Sequence, residues 1–343
     1  MAGVAGAVLS GGDGLPAPMP VIRSDDARTF DVAALGEPLI EFSQTPGTND
    51  WCQGFGGDTS NFAIAAQRAG ARCTYLSRLG DEDFGRALLA LWEREGVECG
   101  AVELDPHQPT GLYFIRYDER GHTFSYRRAG SAATGMRLTD TFRDRIRASR
   151  WLHVSGISQA ISERACDTVF EAIEFARAHG TRISYDLNFR ARLWPAARAA
   201  AIARATLPYC DLFLPSIDEA QVLFESTDPA RLSDWAISAG ARSVAVKLGA
   251  AGAWVANPET ALAIAAHPVR AIDATGAGDC FGGVMVARLI AGDTLAAAAH
   301  AATVAAAIAT TGRGAIDPLP RWADIAQHLP PVAGLRLAHG ADG

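Results

Sequence analysis

Residues 273–283 read DATGAGDCFGG, with two carboxylates, Asp273 and Asp279, on either side of a run that has almost no side chains. Gly276 and Gly278 allow a tight backbone turn whose amides stay uncovered. VRAID before the run reads as the end of a strand, and CFGGVMVARLIAG after it as a helix that stops at Gly292. Uncovered N–H groups at a helix start, added to the helix dipole, form an anion site. Two chemistries fit this spacing. Asp279 is either a plain N-terminal helix cap, a common role for Asp, or a base. As a base it would take a proton from a hydroxyl attacking a phosphoryl group held by the amides of Gly276, Ala277, Gly278 and Asp279. That second reading expects an ordinary carboxylate, ionised at neutral pH.

Such a turn needs a scaffold, and the rest of the chain supplies one. From about residue 31, β-branched runs such as DVAALGE, CTYLSRLG, WLHVSGI, TRISYDLN, CDLFLPS and RSVAVKLG alternate with amphipathic stretches such as NFAIAAQRAG, CDTVFEAIEFARAHG and DEAQVLFES. This alternation predicts an α/β fold, a mostly parallel sheet with helices on both faces. Ligands in such sheets lie beyond the carboxyl ends of the strands. Residues 111–128, GLYFIRYDERGHTFSYRR, break the rhythm and read as two strands joined at DERG; residues 39–53 read as a second extended excursion. Together they predict a small β-flap, or lid, over the site, its segments spanning about 39–53 and 108–130 of a single domain over 31–325.

Composition narrows the function. The chain of 343 residues is 49% hydrophobic and 20% charged, an ordinary globular balance. Its net charge of -7 is spread without blocks of one sign, which argues against a nucleic-acid partner but leaves room for a small anion. The cysteines at 52, 73, 99, 166, 210 and 280 form no C-x-x-C pair, so they read as reduced thiols of a cytoplasmic protein. Residues 1–30 lack a secretory signal and read as a disordered leader or a misplaced start, and 326–343 as a tail. The Ala-rich tract TLAAAAHAATVAAAIAT is too short and too weakly apolar for a membrane span. His153 has no metal-ligand spacing to other histidines and reads as a core or strand-end residue.

DATGAGDCFGG resembles the C-terminal motif of the ribokinase/PfkB sugar kinases. GFGGDTSNFAIAAQRAG (54–70) resembles that family's N-terminal Gly-Gly motif, and KLGAAG (247–252) its Lys-x-Gly-x-x-Gly nucleotide segment. The three occur in the family's order, within a similarity running from about residue 31 to 320. The resemblance implies a three-layer ribokinase-like fold and phosphoryl transfer from ATP with Mg2+. It makes Asp279 the base and Gly276, Ala277 and Gly278 part of the anion hole. Asp273 fits a structural cap or a ligand for a monovalent cation such as K+ as well as a catalytic role. Gly56 and Gly57 would let backbone approach a sugar whose hydroxyls Asp58 and Asn61 bond. Without the resemblance, Asp58 or Thr59 would be a helix cap. Ser216 and Glu219 match an Asn-x-x-Glu pattern with Ser in place of Asn, and Glu219 would act through water on magnesium; alone, the segment is an N-cap with an acid three residues on. Lys247, Gly249 and Gly252 would face the nucleotide, chiefly through the two glycines' backbone. The bland reading of Lys247 is a solvated side chain before a hairpin. A dinucleotide loop is poorly matched, because Thr59 replaces the third glycine, and no P-loop occurs.

Within the family, GGDTSN, the Tyr126-x-Arg128 of the flap and DLNFRARLW (186–194) resemble 2-keto-3-deoxygluconate kinases. Tyr113, Tyr126, Arg128 and Arg190 would then contact substrate, with the arginines on a carboxylate that a guanidinium can hold through both oxygens. Surface ion pairs are the alternative for these arginines. The expected reaction is phosphorylation of the C6 hydroxyl. A fructokinase or other neutral-sugar kinase, and a non-catalytic sugar-acid sensor, are the competing readings. The resemblance also implies pairing of two copies through the flap.

Overall fold

The structure, a computed structural model, describes residues 28–45, 47–118 and 121–330. The expected leader up to residue 27 and the tail from residue 331 lie outside the described residues. Arg28, the first described residue, is tied to the body: its Nη1 donates to Ser149 O (2.5 Å) and Thr181 Oγ1 (3.0 Å).

In chain order, β1 (Phe30–Leu35) leads into β2 (Leu39–Gln44) and β3 (Trp51–Gly56), followed by α1 (Asp58–Arg68) and β4 (Cys73–Leu76). Next come β5 (Arg78–Gly80), α2 (Asp83–Glu95), β6 (Glu103–Asp105), β7 (Leu112–Asp118) and β8 (Gly121–Arg127). The middle of the chain forms α3 (Asp140–Arg147), β9 (Ser149–Ser155), α4 (Gly156–Ala160), α5 (Glu163–Ala178), β10 (Arg182–Asp186) and α6 (Ala196–Thr206). It continues through β11 (Leu212–Leu214), α7 (Ile217–Phe224), α8 (Pro229–Ser238), β12 (Val244–Lys247), β13 (Ala253–Asn257) and β14 (Thr260–Ile264). Three helices finish the described chain, α9 (Ala277–Ile290), α10 (Leu295–Ala309) and α11 (Trp322–Ala326).

The main sheet has the order β14-β13-β12-β11-β10-β9-β1-β4. It is parallel from β4 to β12 and antiparallel at β13 and β14. Because strand side chains alternate between faces, each strand feeds two cores. Val32 and Ala34 join Leu212, Leu214 and Ala245 under α1, α2, α9 and α10. Ala33 and Leu35 join Phe213, Val244 and Val246 under α3, α5, α6, α7 and α8. These are the three layers expected. No helix of the described residues is long and apolar enough to cross a membrane.

The flap is a separate four-stranded sheet, β3-β2-β7-β8. Both predicted excursions contribute to it, 39–53 as β2 and β3 and 111–128 as β7 and β8. Asp118 pairs with Gly121, and the two residues between them lie outside the described set. VRAID departs from expectation, since no strand forms there. β14 ends at Ile264, and Val269 and Ile272 are 39% and 59% exposed. The segment is instead tied down at Thr310 O, which accepts from the amides of Ile272 (2.7 Å) and Asp273 (3.1 Å).

Candidate active site

The glycine-rich turn opens α9. Gly276 is its N-cap at φ 75°, in the left-handed region where glycine is at ease, and no side chain caps the helix. The Ala277 amide donates back to Ala274 O at 3.2 Å, so it is the Gly278 and Asp279 amides after it, with no side-chain cap, that are placed for a ligand. Asp279 is not the cap. It stands inside the first turn, and its Oδ2 accepts from Asn61 Nδ2 at 2.8 Å. That contact depends on how closely α1 and α9 pass. A Cβ on Gly283 would lie 2.9 Å from Ala65 Cβ and from the Ala66 amide, so only glycine permits the approach. Asp273 lies outside the helix as a bracket. Its Oδ1 accepts from the Thr275 amide (2.9 Å) and hydroxyl (2.7 Å), and its Oδ2 from the Gly314 amide (3.0 Å), which is the work of a structural cap.

Asp58 and Asn61 open α1, whose cap is Gly57 rather than Asp58 or Thr59. Asp58 Oδ2 accepts from Asn188 Nδ2 at 3.0 Å. Asp58 Oδ1 and Asn61 Oδ1 are buried without a hydrogen-bond partner. Buried polar atoms are nearly always paired, so two orphaned acceptors next to Asp279 call for donors such as sugar hydroxyls. Above them is the underside of the flap. Tyr113 lies against Gly56, stacks on Tyr126 with ring centroids 5.9 Å apart, and donates its hydroxyl to Glu41. An open cleft of about 470 Å³ continues from Glu41, Gly54 and Phe55 to Arg313 and Ala315, beside the glycine turn.

Two arginines differ in situation. Arg128 is buried; its Nε (2.7 Å) and Nη2 both donate to Glu37 Oε2, while Ser131 Oγ donates to Glu37 Oε1 at 2.6 Å. Arg190 is exposed on the loop after β10 and donates to Phe189 O at 3.0 Å. The same loop reaches the flap, where Arg192 Nη1 donates to Phe124 O.

On the nucleotide side, Ser216 and Glu219 form a full capping box. Glu219 Oε2 accepts from the Ser216 amide (2.8 Å) and Oε1 from the Phe189 amide (2.7 Å), so both oxygens are held by backbone. Ser216 bridges to Lys247, which places both beside the hairpin turn holding Gly249 (φ 56°) and Gly252 (φ 94°). Lys247 is not solvated. Its side chain is 15% exposed and its Nζ contacts both oxygens of Asp186, at 2.8 and 2.7 Å. His153 stays in the core, stacked on Phe62 and bonded to Ser184 Oγ at 3.0 Å.

The carboxylates perturb one another. Burial, reinforced by the charges of Asp58 and Asp186, pushes Asp279 up to about 8, although the Asn61 amide and Lys247 pull it down. The expectation of an ordinary low pKa therefore fails: a carboxylate half-enclosed among like charges binds its proton more tightly. Burial also raises Asp186 despite its ion pair. Burial pulls the Lys247 ammonium down, and the charges of Asp186 and Glu219 more than offset this.

Asp186, Asn188, Glu37 and Glu41 belong to this site but were not singled out in the sequence. Asp186 closes β10 and Glu37 follows β1, so the rule that ligands gather beyond strand carboxyl ends would have reached both. Asn188 lies within the quoted DLNFRARLW and holds φ 36°, a left-handed backbone that Asn tolerates better than most residues.

The chain is similar to known proteins over most of its length. The profile of the pfkB family carbohydrate kinases matches residues 30–322. A 2-dehydro-3-deoxygluconokinase of Thermoproteus tenax is 33% identical over 85% of this chain and 91% of its own length. A fructokinase of Vibrio alginolyticus is 30% identical over 80% of this chain and 91% of its own. Among solved structures, a putative ribokinase II from E. coli in complex with ATP and Mg+2 superposes with a TM-score of 0.80, at 25% identity, covering 87% of this chain and 98% of that one. An agreement that runs from the first strand of the body to its last described helix makes the chain a carbohydrate kinase of the pfkB family.

Proposed function

We propose that the protein transfers the γ-phosphoryl group of ATP to the C6 hydroxyl of 2-keto-3-deoxygluconate. The observation that carries the reading is the pairing of α9 head amides that no side chain caps with the Asp279 carboxyl in the same first turn, beside the orphaned acceptors of Asp58 and Asn61. Those acceptors would receive sugar hydroxyls and fix the attacking oxygen near Asp279. The amides would stabilise charge on the transferring group, which is most of what phosphoryl transfer asks of a protein. Bound magnesium would neutralise charge on the phosphates, and Glu219 fits it as an outer-sphere partner. The raised Asp279 carboxyl must lose its proton before it can accept one, so turnover should rise as pH climbs towards about 8.

A sugar acid is favoured by the likeness to 2-dehydro-3-deoxygluconokinases and by Arg190, exposed beside the flap. A neutral ketose is favoured by a different observation: Arg128 already spends its charge on Glu37. ADP release with 2-keto-3-deoxygluconate, its galactonate epimer and fructose decides between them. The acid reading expects Arg190→Ala to raise KM about tenfold or more for the keto acid and to leave fructose unchanged. Faster turnover of fructose by the native protein would overturn it. Asp279→Asn should lose about 10²–10⁴-fold in kcat on either substrate.

A further inference from the structure

A chain of hydrogen bonds underlies the site. Lys247 on β12 binds both oxygens of Asp186 at the end of β10. Asp186 Oδ1 also accepts from the Asn188 amide at 3.2 Å, and Asn188 Nδ2 reaches Asp58 at the head of α1. One turn further along α1, Asn61 holds Asp279 on α9. The circuit nearly closes on itself, since a Cβ placed on Gly278 would stand 3.4 Å from Lys247 Nζ. The ammonium thus lies under the head of α9, close to Asp279, yet its hydrogen bonds go to Asp186.

We propose that Asp186 is a positioning residue: by gripping Lys247 through both carboxylate oxygens it holds the cation beneath the anion turn and away from Asp279, and so sets when Asp279 is free to accept a proton. The inference rests on Asp279 being the base. Left unrestrained, a flexible lysine within reach of two acids would pair with either. Locked to Asp186, it gives Asp279 only part of its charge and remains placed to meet an anion at the α9 amides. The Asp186 carboxylate itself opposes ionisation of Asp279. Charged or titratable groups facing these residues include Asp58 from α1, Glu219 from α7, His153 from β9 and Tyr113 from β7; Tyr185 and Cys280, next in the chain to Asp186 and Asp279, are held protonated by burial. Burial and the Lys247 charge keep His153 neutral, and burial keeps the Tyr113 hydroxyl protonated, so neither changes charge across the working range. Asp58 and Glu219 keep their own side chains in both variants below.

The test is the pH dependence of kcat/KM for the sugar that turns over best among 2-keto-3-deoxygluconate, its galactonate epimer and fructose, with saturating ATP and magnesium. Asp186→Asn removes an opposing charge and frees Lys247 for Asp279, so the acid limb should move to lower pH by about one unit. Lys247→Met removes the attracting charge, so the limb should move to higher pH by about as much. Opposite displacements are the signature, because a merely structural defect lowers the plateau without moving the limb in either direction. If Asp186→Asn does not fold, the direction found for Lys247→Met still decides. Limbs that stay in place, or move the same way, overturn the inference alone when Asp279→Asn is inactive. Wild-type turnover by Asp279→Asn would overturn the base assignment, and the inference with it.

Discussion

Asp279 shares its surroundings with Asp58 and Asp186, whose charges reinforce burial against the opposing charge of Lys247, and this has a thermodynamic consequence apart from catalysis. Its pKa is raised in the folded protein, so folding takes up a proton that the unfolded chain releases near pH 4. The stability contributed by that protonated carboxyl is complete below about pH 4 and drains away as pH climbs through the folded value of about 8. An asparagine has no proton to lose. Asp279→Asn should therefore be more stable than the native protein by a margin that grows with pH, exceeding its margin at pH 5 by more than about 1 kcal/mol once pH 8 is reached. Urea unfolding at pH 5, 7 and 9 measures it. A margin independent of pH would show that the carboxyl is not held up by its neighbours.

The elements that carry these residues depend on backbone that only glycine supplies. Gly57 caps α1 at φ 104°, and a Cβ there would sit 2.5 Å from Glu37 O and 2.7 Å from Pro38 Cα, both backbone atoms that cannot swing aside. Gly70 has nearly the same angle, φ 100°, with nothing within 4 Å of its notional Cβ. Gly70→Ala should cost about 1–2 kcal/mol for its backbone angle alone. Gly57→Ala should cost clearly more and also raise KM for the sugar, because Asp58 and Asn61 move with the helix start. Equal losses in denaturant unfolding would mean that the α1 entry yields. The same two positions show what the sequence could and could not reveal. Strand and helix alternation foretold three layers, and the Gly-Gly and Gly-Ala-Gly runs marked the two helix starts, because local backbone demands are written in residue type. The partners of the charged residues were not legible. Arg128 and Lys247 looked free for ligands, yet they are bound to Glu37 and Asp186, residues 91 and 61 positions away in the chain. Such pairings follow from strand order, which no short motif encodes. The depressed acidity of Asp279 was hidden for the same reason, since it arises from carboxylates on other elements.

At the scale of the molecule, body and flap are built to different standards. The body has two extensive cores, whereas the flap's own buried cluster is Leu39, Tyr113 and Ile115, with Phe124 and Tyr126 packed against it. So small a cluster gives limited hydrophobic stabilisation, and the flap must draw on its attachment. That attachment is partly apolar, through Ile40, Phe42, Phe55 and Leu112 on the core of the body, and partly polar, through Glu37 between the last residue of β1 and the first of β2, which holds Arg128 and Ser131 just past the end of β8. Burial raises the Glu37 carboxyl, and Arg128 and Ser131 oppose the shift by favouring the ionised, paired form. Breaking a buried pair by removing one partner costs about 3–5 kcal/mol, because the remaining charge has no compensation, while removing both often costs little. Arg128→Met and Glu37→Gln should each loosen the flap, and the double variant should lose markedly less than the two losses summed. Hydrogen exchange of the β7 and β8 amides is the appropriate measure, since local opening precedes unfolding of the body. The single variants should speed exchange there while leaving β9 and β10 protected. Exchange that accelerates equally in flap and body would place Glu37 in the stability of the whole domain rather than in the hinge.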